Sequence, residues 1–506
     1  MNKSCGLFLF FSLFLASFFA CNDDFENYSD SPHDLLSFSV DTLRFDTVLS
    51  AVNTPFYAFR VYNKNSKPLL ISSINLKNAG TSGFKINVDG QAGAHFNNVE
   101  IRANDSLYVL VDIKPDKTGK NQPVIINDYI EFITNGQQQG VVLEAYGQDV
   151  VVWRGLTLSS GSVLSNLKPF LIYDSLVIDE GIVVDVKEGT VFYMHKNAEI
   201  IVKGTLRING SAEKPVTIRG DRTDFMVGVP YDLIPGQWGG IRFTSTSFDN
   251  VFEYARIRNG NFGINMELSD PSRSKLKMNN VILTNFKGAL IRSANCRLSA
   301  ENCEFSNSRN ALLSLTGGNS SFTHCTLANY YASNLEAGWG NSKNETVILS
   351  STYYHENDTG RVNPEYYPVL QADFYNTIVW GMQNRTTSQI AIEENDSSFI
   401  SYYFENCVIP NESATNDDVN NPDIVPRVVN CLINKYPEFL DISPAKRRED
   451  DTEFTYDFRL DSISPARNIA NPKYARRLPI DINGISRLSD EGPDIGGYEY
   501  ELRIKN

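Results

Sequence analysis

The sequence predicts an all-β chain, a β-sandwich followed by a parallel β-helix solenoid. Three observations carry this. Short alternating apolar runs with turns every ten or so residues fill the first third. One phrase then recurs every 22 to 30 residues over most of the remainder. No apolar period of 3.6 holds over any long window, which disfavours helices. Composition agrees: 30 Phe and 24 Tyr against 6 Met lean towards strands.

Residues 1–20 read as a lipoprotein signal peptide. Lys3 precedes an apolar run from Gly6 to Leu15, too short for a stop-transfer helix. The run ends in Ser17-Phe18-Phe19-Ala20-Cys21, which resembles a bacterial lipobox with Phe18 where Leu is usual. The resemblance implies that Cys21 carries lipid and begins the mature chain. Asn22-Asp23-Asp24 resembles the surface-export signal of Bacteroidetes lipoproteins, so the expected location is the outer membrane, lipid-anchored and surface-exposed. No other stretch approaches 18 apolar residues, so no span is expected. Residues 21–36 are polar, acidic and turn-rich, a tether.

Residues 37–150 carry the sandwich. Ala58–Tyr62, Leu69–Ile74, Ser106–Val111 and Tyr129–Ile133 alternate or run apolar, with Asn-Gly, Lys-Pro and Gly turns between them. No catalytic constellation lies among them.

Residues 151–500 carry the solenoid. Leu176–Gly181, Val186–Phe192, Ile201–Ile208 and Pro215–Ile218 are short strands that break at Gly or Pro. Farther on, one column reads Ala255, Val281, Cys303, Cys325, Thr377, Cys407, Cys431, with steps of 26, 22, 22, 52, 30 and 24. Two residues later come Ile257, Leu283, Phe305, Leu327, Val379, Ile409 and Ile433. One residue before the column come Tyr254, Asn280, Asn302, His324, Asn376, Asn406 and Asn430, and four after it Asn259, Asn285, Asn307 and Asn329. Strands of successive coils stack about 4.8 Å apart, and alternate residues point inward. The first two columns are therefore internal stacks. Asn tolerates the left-handed backbone and can bond to like residues above and below, so it marks the turns. The step of 52 reads as two coils of about 26, with Val347–Ser350 as the intervening strand. The cysteines read as reduced core thiols, because a disulfide between stacked rungs is strained. His324 beside Cys325 has no second close Cys/His pair, so a zinc site is not expected. His324 reads as a substitute for Asn in the turn column.

Pro235–Phe243 and Val251–Ile257, with Ser464-Pro465-Ala466, Asp481–Arg487 and Pro493–Tyr500 near the end, resemble bacterial right-handed parallel β-helix proteins of the pectin-lyase-like superfamily. Val61-Tyr62-Asn63 through Ala145-Tyr146-Gly147 resembles immunoglobulin-like domains of the ASH type. The resemblance implies the fold but not one function. Neither the paired Asp motifs nor the Gly-His-Gly of polygalacturonase-like hydrolases is present. Asp417-Asp418 and Asp450-Asp451 read as solvated loop charges.

The net charge of −14 argues against a nucleic-acid partner. The insertion from Tyr353 to Tyr367 interrupts the columns, and Trp339 precedes it. Trp339, Tyr353, Tyr354, His355, Arg361, Tyr366 and Tyr367 form the candidate ligand site: aromatic faces for sugar rings and Arg361 for a carboxylate. The expected function is a non-enzymatic surface lipoprotein that binds a polysaccharide or a host or cell-surface ligand. The alternative is a polysaccharide lyase or glycoside hydrolase acting on an acidic polysaccharide; a third is a structural spacer. No resident metal or cofactor is expected, calcium being the one candidate. Mass spectrometry of the mature N-terminus should find an acylated Cys21; an unmodified Cys21, or a chain beginning elsewhere, contradicts the lipobox reading.

Overall fold

The computed structural model describes residues 28–50, 52–222, 225–226, 229–231, 234–331, 345–356, 362–382, 389–395, 398–410, 427–442 and 456–501. Cys21, Trp339, Arg361, Asp417-Asp418 and Asp450-Asp451 lie outside them, as does the side chain of His355. The chain divides into two compact units, one ending at Asp149 and one beginning at Val150. Among the described residues no helix is long and apolar enough to cross a membrane.

The first unit is two five-stranded sheets. One joins Ser37–Phe38, Tyr57–Asn63, Asp105–Ile113, Phe84–Val88 and Gln91–Gly93 in that order; the other joins Thr42–Leu49, Gln137–Gln148, Val124–Thr134, Leu69–Leu76 and His95–Ile101. All four runs singled out in the sequence are strands. Their alternation buries one side: Val61, Ile71, Val109, Ile130, Phe132 and Leu143 are fully buried in one core. Pairing is antiparallel except between Thr42–Leu49 and Gln137–Gln148, which run parallel.

The second unit is a parallel β-helix with three faces. Face 1 stacks Val216–Gly220, Ala255–Arg258, Ile282–Phe286, Glu304–Ser308, Thr326–Asn329, Ile378–Gly381, Val408–Ile409 and Leu432–Ile433. Face 2 stacks Gly240–Phe243, Ile264–Met266, Ile291–Ala294, Leu313–Thr316, Val347–Ser350 and Ile390–Glu393. Face 3 is a ten-stranded sheet that includes Arg297–Glu301, Gly318–Thr323, Val369–Tyr375 and Ile400–Glu405.

The register follows the columns. Ile257 pairs with Leu283, Leu283 with Phe305, Phe305 with Leu327, and Leu327 with Val379. Inside face 3, Phe322, Phe374 and Phe404 stack ring on ring, with centroids 5.0 and 4.6 Å apart. Every residue one before the internal column has left-handed φ, from 47° at Tyr254 to 56° at Asn280, His324 included at 51°. His324 is buried, and its Nε2 lies 2.9 Å from Asn376 Nδ2. Burial holds its imidazole well below the usual range, hence neutral.

Three expectations are corrected. The step of 52 is one coil: Thr326–Asn329 pairs directly with Ile378–Gly381, and Val347–Ser350 lies on face 2 of that same coil. Cys303, Cys325 and Cys407 are fully buried free thiols, but Cys431 is half-buried: among the described residues Leu432–Ile433 is the last strand of its ladder. The turn asparagines bond only in part to one another. Asn302, Asn376 and Asn406 also donate to the main-chain oxygens of Ile480, Asn471 and Ile469.

That C-terminal stretch covers the outside of face 1. Ala328, Ile378, Trp380 and Val408 point outward there and pack with Phe458, Ala466, Ile482, Ile495 and Tyr498. The closing phrase does this with buried charge. Asp481 accepts from the N–H groups of Asn483, Ile485 and Glu499, and Asp494 from those of Asn468 and Tyr500. Arg487 is fully buried, pairs with Glu499 at 2.6 Å and donates to Asn302 at 3.0 Å. One helix, α1 (Pro472–Arg477), also belongs to this stretch. Asn471 caps it and Pro472 starts it, a signal present in the sequence but too short to show a period.

Two stability measurements follow. Cys325→Asp places an unpaired charge between clamped rungs and should cost several kcal/mol. Cys325→Val, a residue the column already holds, should cost less than about 1.5 kcal/mol. Arg487→Met strands Glu499 and should cost about 3–5 kcal/mol, part of which Arg487→Met/Glu499→Leu should recover. Denaturant unfolding checks both, and equal stability of Cys325→Asp and Cys325→Val contradicts the stacking.

Candidate functional site

Inserted residues cannot enter a stacked strand without breaking its ladder, so they leave at a corner. Tyr353–Tyr367 does so between faces 2 and 3. It is an antiparallel hairpin, Thr352–Glu356 against Val362–Tyr366. The turn below it is Gly317-Gly318, with φ of 64° and 77°; a Cβ on Gly317 would lie 2.6 Å from Tyr367 Cβ. Only glycine lets the hairpin sit down at that corner. Asn395 Nδ2 pins its base through Ser351 Oγ at 2.7 Å and Thr352 Oγ1 at 2.9 Å.

The hairpin separates the predicted tyrosines. Tyr353 and Tyr367 meet edge to face at 6.4 Å. The Tyr367 hydroxyl donates to Glu365 at 2.6 Å, and this bond pushes its pKa up to about 12. Tyr354 and Tyr366 belong to the alternate set and are 61% and 46% exposed. Thus Tyr354 and Tyr366 can meet a ligand, while Tyr353 and Tyr367 brace the hairpin.

Sequence reasoning missed the outer surface of face 3, which starts directly after the hairpin. Two outward columns run along it. One reads Ser299, Ser321, Asp373, Tyr403; the other reads Glu301, Thr323, Tyr375, Glu405. Small residues give way to tyrosines and carboxylates. Burial raises the Asp373 carboxyl pKa, against the hydroxyl of Tyr375, which donates to it at 2.8 Å, and the Gln371 amide, which also donates. Glu405 accepts from Asn471 Nδ2 at 2.7 Å and from the Tyr474 hydroxyl at 2.8 Å. Tyr375 lies between them, stacked on Tyr474 at 4.5 Å and tilted against Tyr403 at 6.0 Å. Its hydroxyl pKa is raised by burial and by Asp373.

Asn471 and Tyr474 belong to the α1 stretch, and Arg477 of α1 pairs with Glu301. Face 3 therefore has two flanks here: the hairpin at its face-2 corner and α1 at its face-1 corner. The floor between them offers aromatic rings and oxygen acceptors. Among the described residues, no group of three His, Cys, Asp or Glu side chains is placed to hold a metal ion.

No family model matches the chain, and no curated protein matches it. Solved structures similar to it include glycoside hydrolases. The catalytic unit of a GH87 α-1,3-glucanase from Streptomyces thermodiastaticus is 11% identical, with 70% of this chain and 79% of that chain covered and a TM-score of 0.24. A GH87 α-1,3-glucanase catalytic domain in complex with nigerose is 10% identical, with coverage of 75% and 88% and a TM-score of 0.19. A family 123 glycoside hydrolase from Clostridium perfringens is 13% identical over 24% of this chain and 26% of that chain, at a TM-score of 0.17. All three TM-scores are far below 0.5, so the fold stands on the strand register and the site on its side chains.

Proposed function

We propose that the floor of face 3, between the hairpin and α1, binds a glycan, and that the protein is an outer-membrane lipoprotein presenting this surface outside the cell. The observation that supports binding is the joint occurrence of exposed hairpin tyrosines, Tyr354 and Tyr366, with Tyr375, Tyr403 and the Asp373 and Glu405 carboxylates on the adjoining strands. Tyrosine gives a flat amphipathic face at low rotamer cost. Carboxylate and amide oxygens accept from sugar hydroxyls. The anchoring rests on the lipobox-like segment at Cys21.

One observation favours cleavage as a second reading. Asp373 and Glu405 lie on adjacent coils two residues out of register, and the Asp373 carboxyl pKa is raised as an acid catalyst requires. A hydrolase needs such a pair across the scissile bond. Against it, both Glu405 oxygens already hold the α1 stretch in place. Incubating polysaccharides with the wild type and with Asp373→Asn, and counting new reducing ends, separates cleavage from binding.

The binding test is a glycan array with the wild type, Tyr354→Ala/Tyr366→Ala and Tyr403→Ala. The variants should keep the wild-type melting temperature and weaken binding at least about tenfold, which is 1.4 kcal/mol. Equal binding by all three removes these rings from the site; no binding by any contradicts the glycan reading.

A further inference from the structure

The internal column ends in two thiols whose surroundings differ from those of the pair above it. Cys303 and Cys325 occupy consecutive rungs and are fully buried, with coils stacked on both sides. Val408 pairs with Leu432, so Cys407 and Cys431 occupy consecutive rungs, the last two among the described residues. Cys407 is fully buried and Cys431 half-buried. The Cys407 N–H points at Cys431 Sγ, 3.3 Å away. Cys431 is thus reachable and already the acceptor of a donor from its partner.

We infer that Cys431 is a thiol-modification site that enters thiol–disulfide exchange and that Cys407 resolves it into a disulfide closing the last coil of the helix. Stacked rungs stand about 4.8 Å apart, inside the Cα range that a disulfide spans, but their parallel Cβ atoms must tilt towards each other to reach it. A rung clamped on both sides resists that tilt. The last rung of a ladder has a neighbour on one side only, so it can tip. The geometry therefore separates two pairs that look alike in sequence: one closes, the other stays reduced. Electrostatics point the same way. The hydrogen bond from the Cys407 side chain, with a smaller share from its N–H, lowers the Cys431 thiol pKa, whereas burial pushes the Cys407 thiol well above the usual range. The attacking thiolate is Cys431 and the resolving thiol is Cys407.

The exchange balances with an external disulfide as oxidant. The Cys431 thiolate attacks one sulfur of glutathione disulfide, a mixed disulfide forms, and one glutathione thiolate leaves. Cys407 gives up its proton and attacks Cys431 Sγ, and the second glutathione leaves. The protein loses two electrons and two protons, and one glutathione disulfide becomes two glutathiones.

The test uses the folded full chain with glutathione disulfide, followed by alkylation of the remaining thiols and peptide mass spectrometry. The wild type should yield one linked pair, Cys407 with Cys431, and its melting temperature should rise by several degrees and fall back on reduction. Cys303 and Cys325 should remain alkylatable only after unfolding. Cys407→Ala should hold glutathione on Cys431 without further reaction, and Cys431→Ser should not react. A wild type that stops at a glutathione adduct, that does not react, or that links Cys303 to Cys325 overturns the inference. The wild-type result is decisive even if Cys407→Ala fails to fold.

Discussion

Stacking at strand spacing is the constraint on which the rest of the helical unit depends. Every coil must set its strands within hydrogen-bonding distance of the coil before it, so every inward side chain meets its counterpart one rung away. This selects the Leu, Ile and Phe columns, the aromatic stack from Phe322 to Phe404, and small Cys, Thr and Ala at the crowded position. It also dictates where variation goes. Extra residues leave at corners, which is why the Tyr353–Tyr367 hairpin stands off the ladder while Thr326–Asn329 pairs undisturbed with Ile378–Gly381.

The same constraint leaves outward surfaces to be dealt with one by one. Face 1 carries an outward apolar patch of Ala328, Ile378, Trp380 and Val408, and the C-terminal stretch covers it, tied down by turn asparagines and by the buried Arg487–Glu499 pair. Burying that pair is costly, and Arg487 also donates to Asn302 and to the Gly497 main-chain oxygen, which ties the strap to a turn beside face 1. Face 3 is polar outside between its two flanks. Among the described residues the strap meets it at its margin, through Asn471, Tyr474 and Arg477. Tyrosines and carboxylates converge on the surface that this leaves.

The columns were legible because stacking imposes a spacing that identical side-chain roles repeat. Even His324 could be placed, since its neighbours in the turn column are Asn and its left-handed φ is the property they share. The coil holding the hairpin was misread as two, because its step of 52 equals two coils of about 26 and its face-2 strand, Val347–Ser350, falls near the middle. Asp373 and Glu405 were not legible. Their columns step by 22, 52 and 30 residues like the inward ones, but residue type does not repeat along them: Ser299 and Ser321 precede Asp373, and Thr323 and Tyr375 precede Glu405. Outward positions answer to ligands and flanking segments, so no recurring side chain marks them. The exposure of Cys431 was missed for a related reason: a column shows where a rung is, not that it is the last.

Face 3, flanked by the hairpin and α1, is the proposed binding surface. Hydrogen–deuterium exchange of the full chain, with and without the glycan that binds it most tightly, tests this without altering any residue. Binding there should slow exchange in Thr352–Glu356, Val362–Tyr366, Val369–Tyr375 and Ile400–Glu405 alone. Slowed exchange confined to the first unit, or to face 2, would contradict it.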